Sequence, residues 1–483
     1  MKKLPQGLKL FSLVLSVFCW QYSVSAQDLL AGKPIPGPGE TTAASDTLYI
    51  IGAITITGNK KTHEEIILRE LPFHSGEKMS LSALARHFEE ARQQLMNTAL
   101  FNQVVVAAGG YYLNVVTVNI SVRERWYLFP TPYVKPVDRN LNQWIFEQHA
   151  SLDRVNYGGK LIYNNITGNN DKLRLWVVSG YTRQISFSYE RPYIDRQMKW
   201  GVKTNFSFGK NREINYNTVS DKQVFMKDEQ KYVRAFFNAG MEWVYRPALF
   251  TRHRFGFSYS TEEVGDTVVA LNPLYFKSGR RSGKFPELYY RMSYTNLDYI
   301  PYPTRGYAAD IYIGKKGFTH AMNVWQLFVK GNANWPLSSK YFIQTTVYGG
   351  IKLPFSQPYF NQRFLGYGDA FMQGYEYYVV DGVAGGYLKT SLSRKLLDFK
   401  VKVPGYKNHE GTMLPIRVFG RIYGNTGYVY NPQPGANSLS NKMLYAGGLG
   451  LDIVTLYDLT IRLEWTFNQL GQNGVFLHRR TMF

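Results

Sequence analysis

The run LTIRLEWTFN, residues 459–468, constrains this chain more than any other stretch because it alternates without a break. Leu459, Ile461, Leu463, Trp465 and Phe467 fall on one side of an extended strand, and Thr460, Arg462, Glu464, Thr466 and Asn468 on the other. QISFSYE repeats the pattern, with Ile185, Phe187 and Tyr189 against Ser186 and Ser188. WGVKTNFSF does so again, with Val202, Thr204, Phe206 and Phe208 against Lys203, Asn205 and Ser207. A soluble sandwich would turn the charged face to water. A membrane barrel would turn the apolar face to lipid and the Arg and Glu side chains to the lumen. Periodicity alone fits both.

Signals of export decide between them. Lys2, Lys3 and Lys9 flank an apolar run from Leu10 to Trp20, and Val24-Ser25-Ala26 offers small residues for cleavage, so residues 1–26 read as a signal peptide. That run is too short to span about 30 Å of hydrocarbon. Cys19, the single cysteine of 483 residues, lies inside it, so disulfides and thiolate chemistry drop out. Beyond Trp20 no apolar run approaches the about 18 residues of a helical span. The rings are nonetheless abundant, with 37 Tyr, 30 Phe and 9 Trp, and they cluster at segment ends as interface girdles do. The formal charge of +21 suits an anionic membrane surface or an acidic partner better than nucleic acid in an exported chain. Delivery to an envelope and a chain closing on a strand at Phe483 favour the barrel. Residues 126–483 hold roughly 16 strands at about 22 residues per strand and connection. The longest connection, Thr261–Glu287, is polar and basic and is expected to be an outward loop.

Ahead of the barrel the pattern differs. Residues 27–47 are rich in Pro, Gly and Thr and suit a flexible linker. From residue 48 to 125 the order is β-α-α-β-β. LYIIGAITITGN is a strand ending at the Gly58-Asn59 turn, and THEEIILRELP is a short helix. Leu81, Leu84, Ala85, Phe88, Ala91 and Leu95 recur at helical spacing, and two strands follow, separated by Gly109-Gly110. The stretch ITITGNKKTHEEIILRELPFHSGE resembles a polypeptide-transport-associated (POTRA) domain through this strand, Gly58-Asn59, Thr62, the helix and Gly76-Glu77.

A POTRA-like module before such a barrel resembles the BamA and TamA superfamily of outer-membrane assembly and secretion barrels, the bacterial surface antigen family. FSYERPYIDRQMKWGVKTNFSF is similar to its strand, Pro-Tyr turn and strand unit through Pro192 and Tyr193. DYIPYPTRGYAADI resembles its hairpin motif through Asp298, Pro303 and Gly306. RFLGYGDAFMQGYEYYVVDG carries the strongest likeness: Arg363-Phe364, glycine turns at Gly366 and Gly368, then Met372-Gln373-Gly374-Tyr375 and Asp381-Gly382. In the family this loop, here near 361–382, folds back into the lumen with an arginine at its tip. Glycine allows the sharp turns and aromatics seal against the wall. Gln373 stands where that arginine would be. The aspartate that pairs with it in the family is replaced in YGNTGYV, Tyr423-x-Asn425-x-Gly427, by Asn425. The resemblance therefore implies an amide pair in place of an ion pair, and an arginine restored alone at 373 would be an uncompensated cation.

The fold class expected is mainly β: a transmembrane antiparallel barrel of about 16 strands preceded by one small α+β module. No nucleophile elbow, phosphate loop or His-x-x-x-His spacing occurs, so no enzyme, cofactor or metal is read. The resemblance implies a factor that inserts or translocates polypeptides, the POTRA module in the periplasm capturing substrate by strand addition and the barrel opening laterally. A dedicated two-partner-type secretion pore and a passive porin remain alternatives. Implied partners are outer-membrane lipid and lipopolysaccharide, unfolded outer-membrane or secreted polypeptides, and periplasmic chaperones or accessory lipoproteins. In the closing GVFLHRRTMF, His478, Arg479 and Arg480 make an unusually polar strand, which fits weak pairing with the first strand at a lateral gate and equally a strand end lying at a charged membrane interface.

Overall fold

The computed structural model describes residues 47–136, 143–228, 230–277, 279–319, 322–402, 413–455 and 459–480. The expected signal peptide, almost all of the linker, and Phe483 lie outside these.

The N-terminal module consists of β1 (Leu48–Thr57), α1 (Glu64–Leu68), β2 (Lys78–Ser80), α2 (Leu81–Asn97), β3 (Phe101–Tyr112) and β4 (Val115–Glu124). Its sheet runs β2-β1-β4-β3, with β1 and β4 parallel and the other pairs antiparallel. Ser80 caps α2 by accepting from the Ala83 amide at 3.2 Å. Leu84, Ala91 and Leu95 then bury against Ile51, Val116, Val118 and Ile120. Three sequence expectations change. The three-residue β2 lies between the helices, too short to leave an alternating pattern. Leu81 and Ala85 are exposed and outside the packed stripe. Gly109-Gly110 is no turn: β3 runs through it to Tyr112, and the reversal comes at Leu113, φ 51°. The register shifts between Ala108 and Gly110, and a Cβ on Gly109 would lie 2.7 Å from Asn119 Nδ2, so this glycine marks a bulge beside a close cross-strand neighbour.

The rest forms one 16-stranded antiparallel sheet from β5 (Leu128–Pro136) to Asn473–Arg480. Its polarity is inverted relative to a soluble sheet. In the strand Thr460–Asn468, Trp465 is 47% exposed and Glu464 1%. Ile185, Phe187, Phe206 and Phe208 face outward, while Ser186 and Ser207 hydrogen-bond on the inside. This is the arrangement of a barrel whose solvent is lipid. Residues 261–287 depart from the open polar loop expected. The flanking strands run to Val264 and from Ser282, Asp266–Leu271 is helical, and Tyr275 and Phe276 pack with Phe285, Tyr359 and Phe360 over the end of the barrel opposite the module.

Successive turns at the other end carry the module. Arg246 Nη1 and Nη2 donate to the Glu70 carboxylate at 2.5 and 2.7 Å, and Tyr193, of the Pro-Tyr turn, donates to Glu70 at 3.2 Å. Asn97 at the end of α2 donates to the Leu297 carbonyl at 2.9 Å and accepts from the Ile300 amide at 3.0 Å. Burial pushes the Glu70 carboxyl up, but the Arg246 guanidinium outweighs it and holds the group below the ordinary carboxylate range.

Candidate functional site

The strands Tyr341–Leu353 and Ala384–Lys402 are joined by a long segment that turns back into the barrel. Its two limbs pair as a short ladder, Arg363 opposite Asp381 and Leu365 opposite Val380. At this base, Lys352 Nζ donates to the carbonyls of Asn361 and Arg363, both at 2.7 Å. Tyr367 donates to Asp381 Oδ1 at 2.7 Å, and the Arg363 guanidinium lies over the rings of Phe360 and Tyr367 and donates to the Asn215 carbonyl at 3.3 Å. Gly366 and Gly368 hold φ of 84° and 60°, a left-handed region that suits glycine. The Gly366 amide closes its turn on the Ala370 carbonyl at 2.7 Å.

Phe364 and Met372 sit in a buried cluster with Tyr375, Tyr387, Val429 and Leu444. Gly427 makes room for Met372, since a Cβ there would lie 3.0 Å from its sulfur. At the tip, Asn425 Nδ2 donates to Gln373 Oε1 at 3.1 Å. Asn468 donates to the Gly374 carbonyl at 2.7 Å, and Tyr375 donates to the Tyr445 carbonyl at 3.2 Å. Gly374 has φ 89° and abuts Ala446, whose Cβ would be 2.7 Å from an added one. Tyr423 does not touch the loop through a described hydrogen bond; the Arg421 guanidinium lies over its ring at 4.8 Å.

Sequence reasoning missed the charge beside these amides. Gln373 Nε2 also donates to Glu464 Oε1 at 3.2 Å, and the same oxygen accepts from Arg421. Arg421 and Glu464 are 7% and 1% exposed, so this is a buried ion pair between two strands of the wall. An arginine placed alone at 373 would therefore have a carboxylate in reach, which corrects the expectation of an uncompensated cation. Likewise Lys389 stands opposite Asn425 in the strand register, ready to face an aspartate there. Glu464 was visible only as a member of a polar face, because its partner is 43 residues away.

His478 of the last strand joins this cluster, its Nε2 3.2 Å from Glu464 Oε2 and 3.5 Å from Glu376 Oε1. Among the described residues this is the one grouping with the residue types and spacing of a metal site. Arg421 in contact, and Arg462 at 4.0 Å, already supply positive charge to Glu464, so it reads as an ion-pair cluster. Arg462 in turn pairs with Asp452 at 2.8 Å, and Tyr302 donates to Asp452 at 2.9 Å.

The remaining motif residues are elsewhere. Asp298 accepts from the amides of Tyr299, Thr304 and Arg305, and Gly306 at φ 106° passes close to the Asn296 carbonyl. With Pro303, whose carbonyl accepts from Gln344 at 2.6 Å, they shape the turn that inserts Tyr302 between Phe342 and Phe419. Gly58, φ 89°, and Asn59, donating to the Thr62 carbonyl at 3.2 Å, build the turn after β1.

Comparison with known proteins gives the same two parts. Residues 49–125 match the POTRA model, described as a surface antigen variable number repeat, and residues 165–453 match the Omp85 superfamily domain. No curated protein matches the chain. Among solved structures it is similar to BamA from Haemophilus ducreyi lacking POTRA domains 1–3, at 14% identity over 89% of this chain and 83% of that one, TM-score 0.48. It is also similar to CdiB from Escherichia coli, at 9% identity over 99% and 98%, TM-score 0.48. A third, CdiB from Acinetobacter baumannii, shares 11% identity over 89% and 73%, TM-score 0.46. The superfamily model spans more than half of the sequence, and its match falls on the strands and the inserted loop described above: the chain belongs to the Omp85 superfamily of outer-membrane β-barrels, with one POTRA domain.

Proposed function

We propose that this protein assembles or translocates polypeptides at the outer membrane, with residues 48–125 in the periplasm and residues 126–483 spanning the bilayer. One observation carries the reading: β3 is the terminal strand of a module docked directly on the barrel's turns. A terminal strand offers backbone donors and acceptors to an extended segment, which can add to the sheet by main-chain hydrogen bonds while its side chains alternate between faces. The barrel interior is then the route or the insertion frame, and the loop tip seated on Asn425, Asn468 and the Tyr445 carbonyl is the element that must move to clear it.

Photocrosslinkers at Gln103, Val105 and Ala107 of β3 should capture unfolded barrel segments, and crosslinkers on α2 at Arg86 or Gln93 should not. Capture on α2 alone would contradict strand addition. Depletion in cells then separates roles: a fall in many outer-membrane proteins marks insertion, and loss of one secreted product marks dedicated secretion. A barrel that conducts ions steadily with no effect on either would be a porin.

A further inference from the structure

On the inner face near the end opposite the POTRA module, two cations have carboxylate partners: Arg154 pairs with Glu213 at 2.6 Å and Arg234 with Glu262 at 2.8 Å. The outer face of the strands Thr182–Arg191 and Trp200–Asn211 differs. Arg183 and Lys210 stand directly opposite each other in the strand register, both exposed. Their side chains share the outward side with Ile185 and Phe187 on one strand and Phe206 and Phe208 on the other. Like charges directly opposite across a ladder repel. Arg212 adds a third cation, and the guanidiniums of Arg183 and Arg212 each lie 5.6 Å from the centroid of the Tyr232 ring. The buried Nε of Arg212 has no hydrogen-bond partner among the described residues.

No carboxylate oxygen among the described residues is in ion-pair contact with these three cations, although the Asp228 carboxylate feels the charge of Arg212. Asp228, in the same loop, uses Oδ1 to accept from the amides of Gln230 and Lys231, both at 2.8 Å. Glu263, outward on the same row beyond Ala235, lies 3.6 Å from Arg281. We propose that Arg183, Lys210 and Arg212, with Tyr232, form a binding site for the phosphate of an acylated lipid in the outer leaflet. The inference rests on the membrane orientation given above.

The chemistry fits at two levels. A phosphate monoester carries a charge of about −1.5 to −2 near pH 7 and three acceptor oxygens, which guanidinium groups match in pairs. Directly below, the exposed Ile185, Phe187, Phe206 and Phe208 offer the apolar surface that acyl chains cover. A free phosphate would use only the first of these, so the pairing of cations above apolar side chains selects an amphiphile.

The test uses the full chain purified in detergent and native mass spectrometry to count bound lipid. The probes are a bisphosphorylated, acylated glucosamine disaccharide, its dephosphorylated counterpart and inorganic phosphate. Wild-type protein should retain the phosphorylated lipid at least tenfold better than the dephosphorylated one, and millimolar inorganic phosphate should not displace it. The double variant Arg183→Glu/Lys210→Glu should lose at least tenfold, while Lys222→Glu/Lys340→Glu, with the same change in net charge, should not. Equal retention by the double variant, or equal binding of the dephosphorylated lipid, overturns the site. Displacement by inorganic phosphate overturns the lipid assignment. Heat-modifiable mobility checks the fold; if the double variant fails to fold, Arg212→Gln removes a cation outside the ladder and should lose binding by several-fold, and its retention at the wild-type level overturns the proposal. Because no polypeptide substrate is present, failure here leaves the assembly reading standing.

Discussion

The inserted loop is held at its base and at its tip by different chemistry. At the base, charge belongs to the loop and its immediate anchors: Arg363 and Asp381 face each other in its own ladder, and Lys352 grips two loop carbonyls. At the tip the ion pair belongs to the wall, Arg421 with Glu464, and the loop touches it only through the neutral amide of Gln373. Withdrawing the base would expose or strand charges. Withdrawing the tip would part Glu376 from His478 and break a handful of hydrogen bonds, most of them neutral and worth about 1 kcal/mol net each and the one to the Glu464 carboxylate charge-assisted, and would leave the wall's ion pair closed. The difference makes the tip the releasable end.

The largest effect should come from breaking the wall pair. Glu464→Ala leaves Arg421 buried without its carboxylate, a loss of about 3–5 kcal/mol. The temperature at which the folded barrel converts to the slow-migrating form should fall steeply. Replacing both Arg421 and Glu464 by Met should be milder than removing Glu464 alone, because no uncompensated charge remains. If Glu464→Ala costs no more than Gln373→Ala, the wall pair is not the stronger hold and the contrast between base and tip fails.

A second buried pair lies outside the membrane, at the POTRA joint, and pH reaches it. The Glu70 carboxyl is held below its ordinary value in the docked state. Its contribution is therefore present above the undocked value, about 4.3, and is lost as pH falls through the lower, docked value. Spin-label distances between the module and the turn at Arg246 should broaden in that acidic window, and Glu70→Gln should show the same loosening at pH 7, at about 3 kcal/mol. Unchanged distances in both would show that the Asn97 contacts suffice to dock the module.

How much of this could be read from the residues follows from range. Alternation at Leu459–Phe467 gave the strand and its two faces, because side-chain period is a local property. The positive-φ glycines at Gly366 and Gly368 were legible for the same reason. Gly109-Gly110 misled, since a glycine that admits Asn119 across a ladder looks in sequence like one that turns the chain. The juxtaposition of Gln373 with Asn425 came from family likeness and not from either residue. Arg421 with Glu464 was out of reach, because Arg421 projects toward a strand two places away in the sheet, and nothing local in RIYGN marks its partner.

Glycines sharpen the comparison at a smaller scale. Gly374→Ala at the tip meets both a left-handed backbone and Ala446, and should cost about 1–3 kcal/mol. Gly368→Ala at the base has φ 60° and nothing within 4 Å of the new methyl, so only the backbone term remains, about 1 kcal/mol. Reactivity of an engineered cysteine at Asp369 or Tyr377 toward a membrane-impermeant reagent in intact cells would report loosening at each end. Equal loosening by both substitutions would mean that the tip is not closely packed.

The smallest effect, and the most diagnostic, concerns Gln373 and Asn425 themselves. Their side chains share one hydrogen bond of 3.1 Å, so Gln373→Ala and Asn425→Ala should be less than additive, with a coupling near 1 kcal/mol. Charge restoration probes the neighbours. Gln373→Arg brings a guanidinium to Glu464, where it competes with Arg421 for one carboxylate, and Asn425→Asp sets an anion opposite Lys389. Each single change is thus partly compensated, and both together add a charge-assisted bond of roughly 1.5–3 kcal/mol where the amide bond gave about 1. The double variant should hold the tip more firmly than the wild type, seen as slower labelling of an engineered cysteine at Tyr377, and assembly activity should fall if release of the tip is part of the cycle. Coupling below about 0.5 kcal/mol would mean that the two amides do not act on each other. A firmer tip with unchanged activity would separate the loop's hold from the barrel's work.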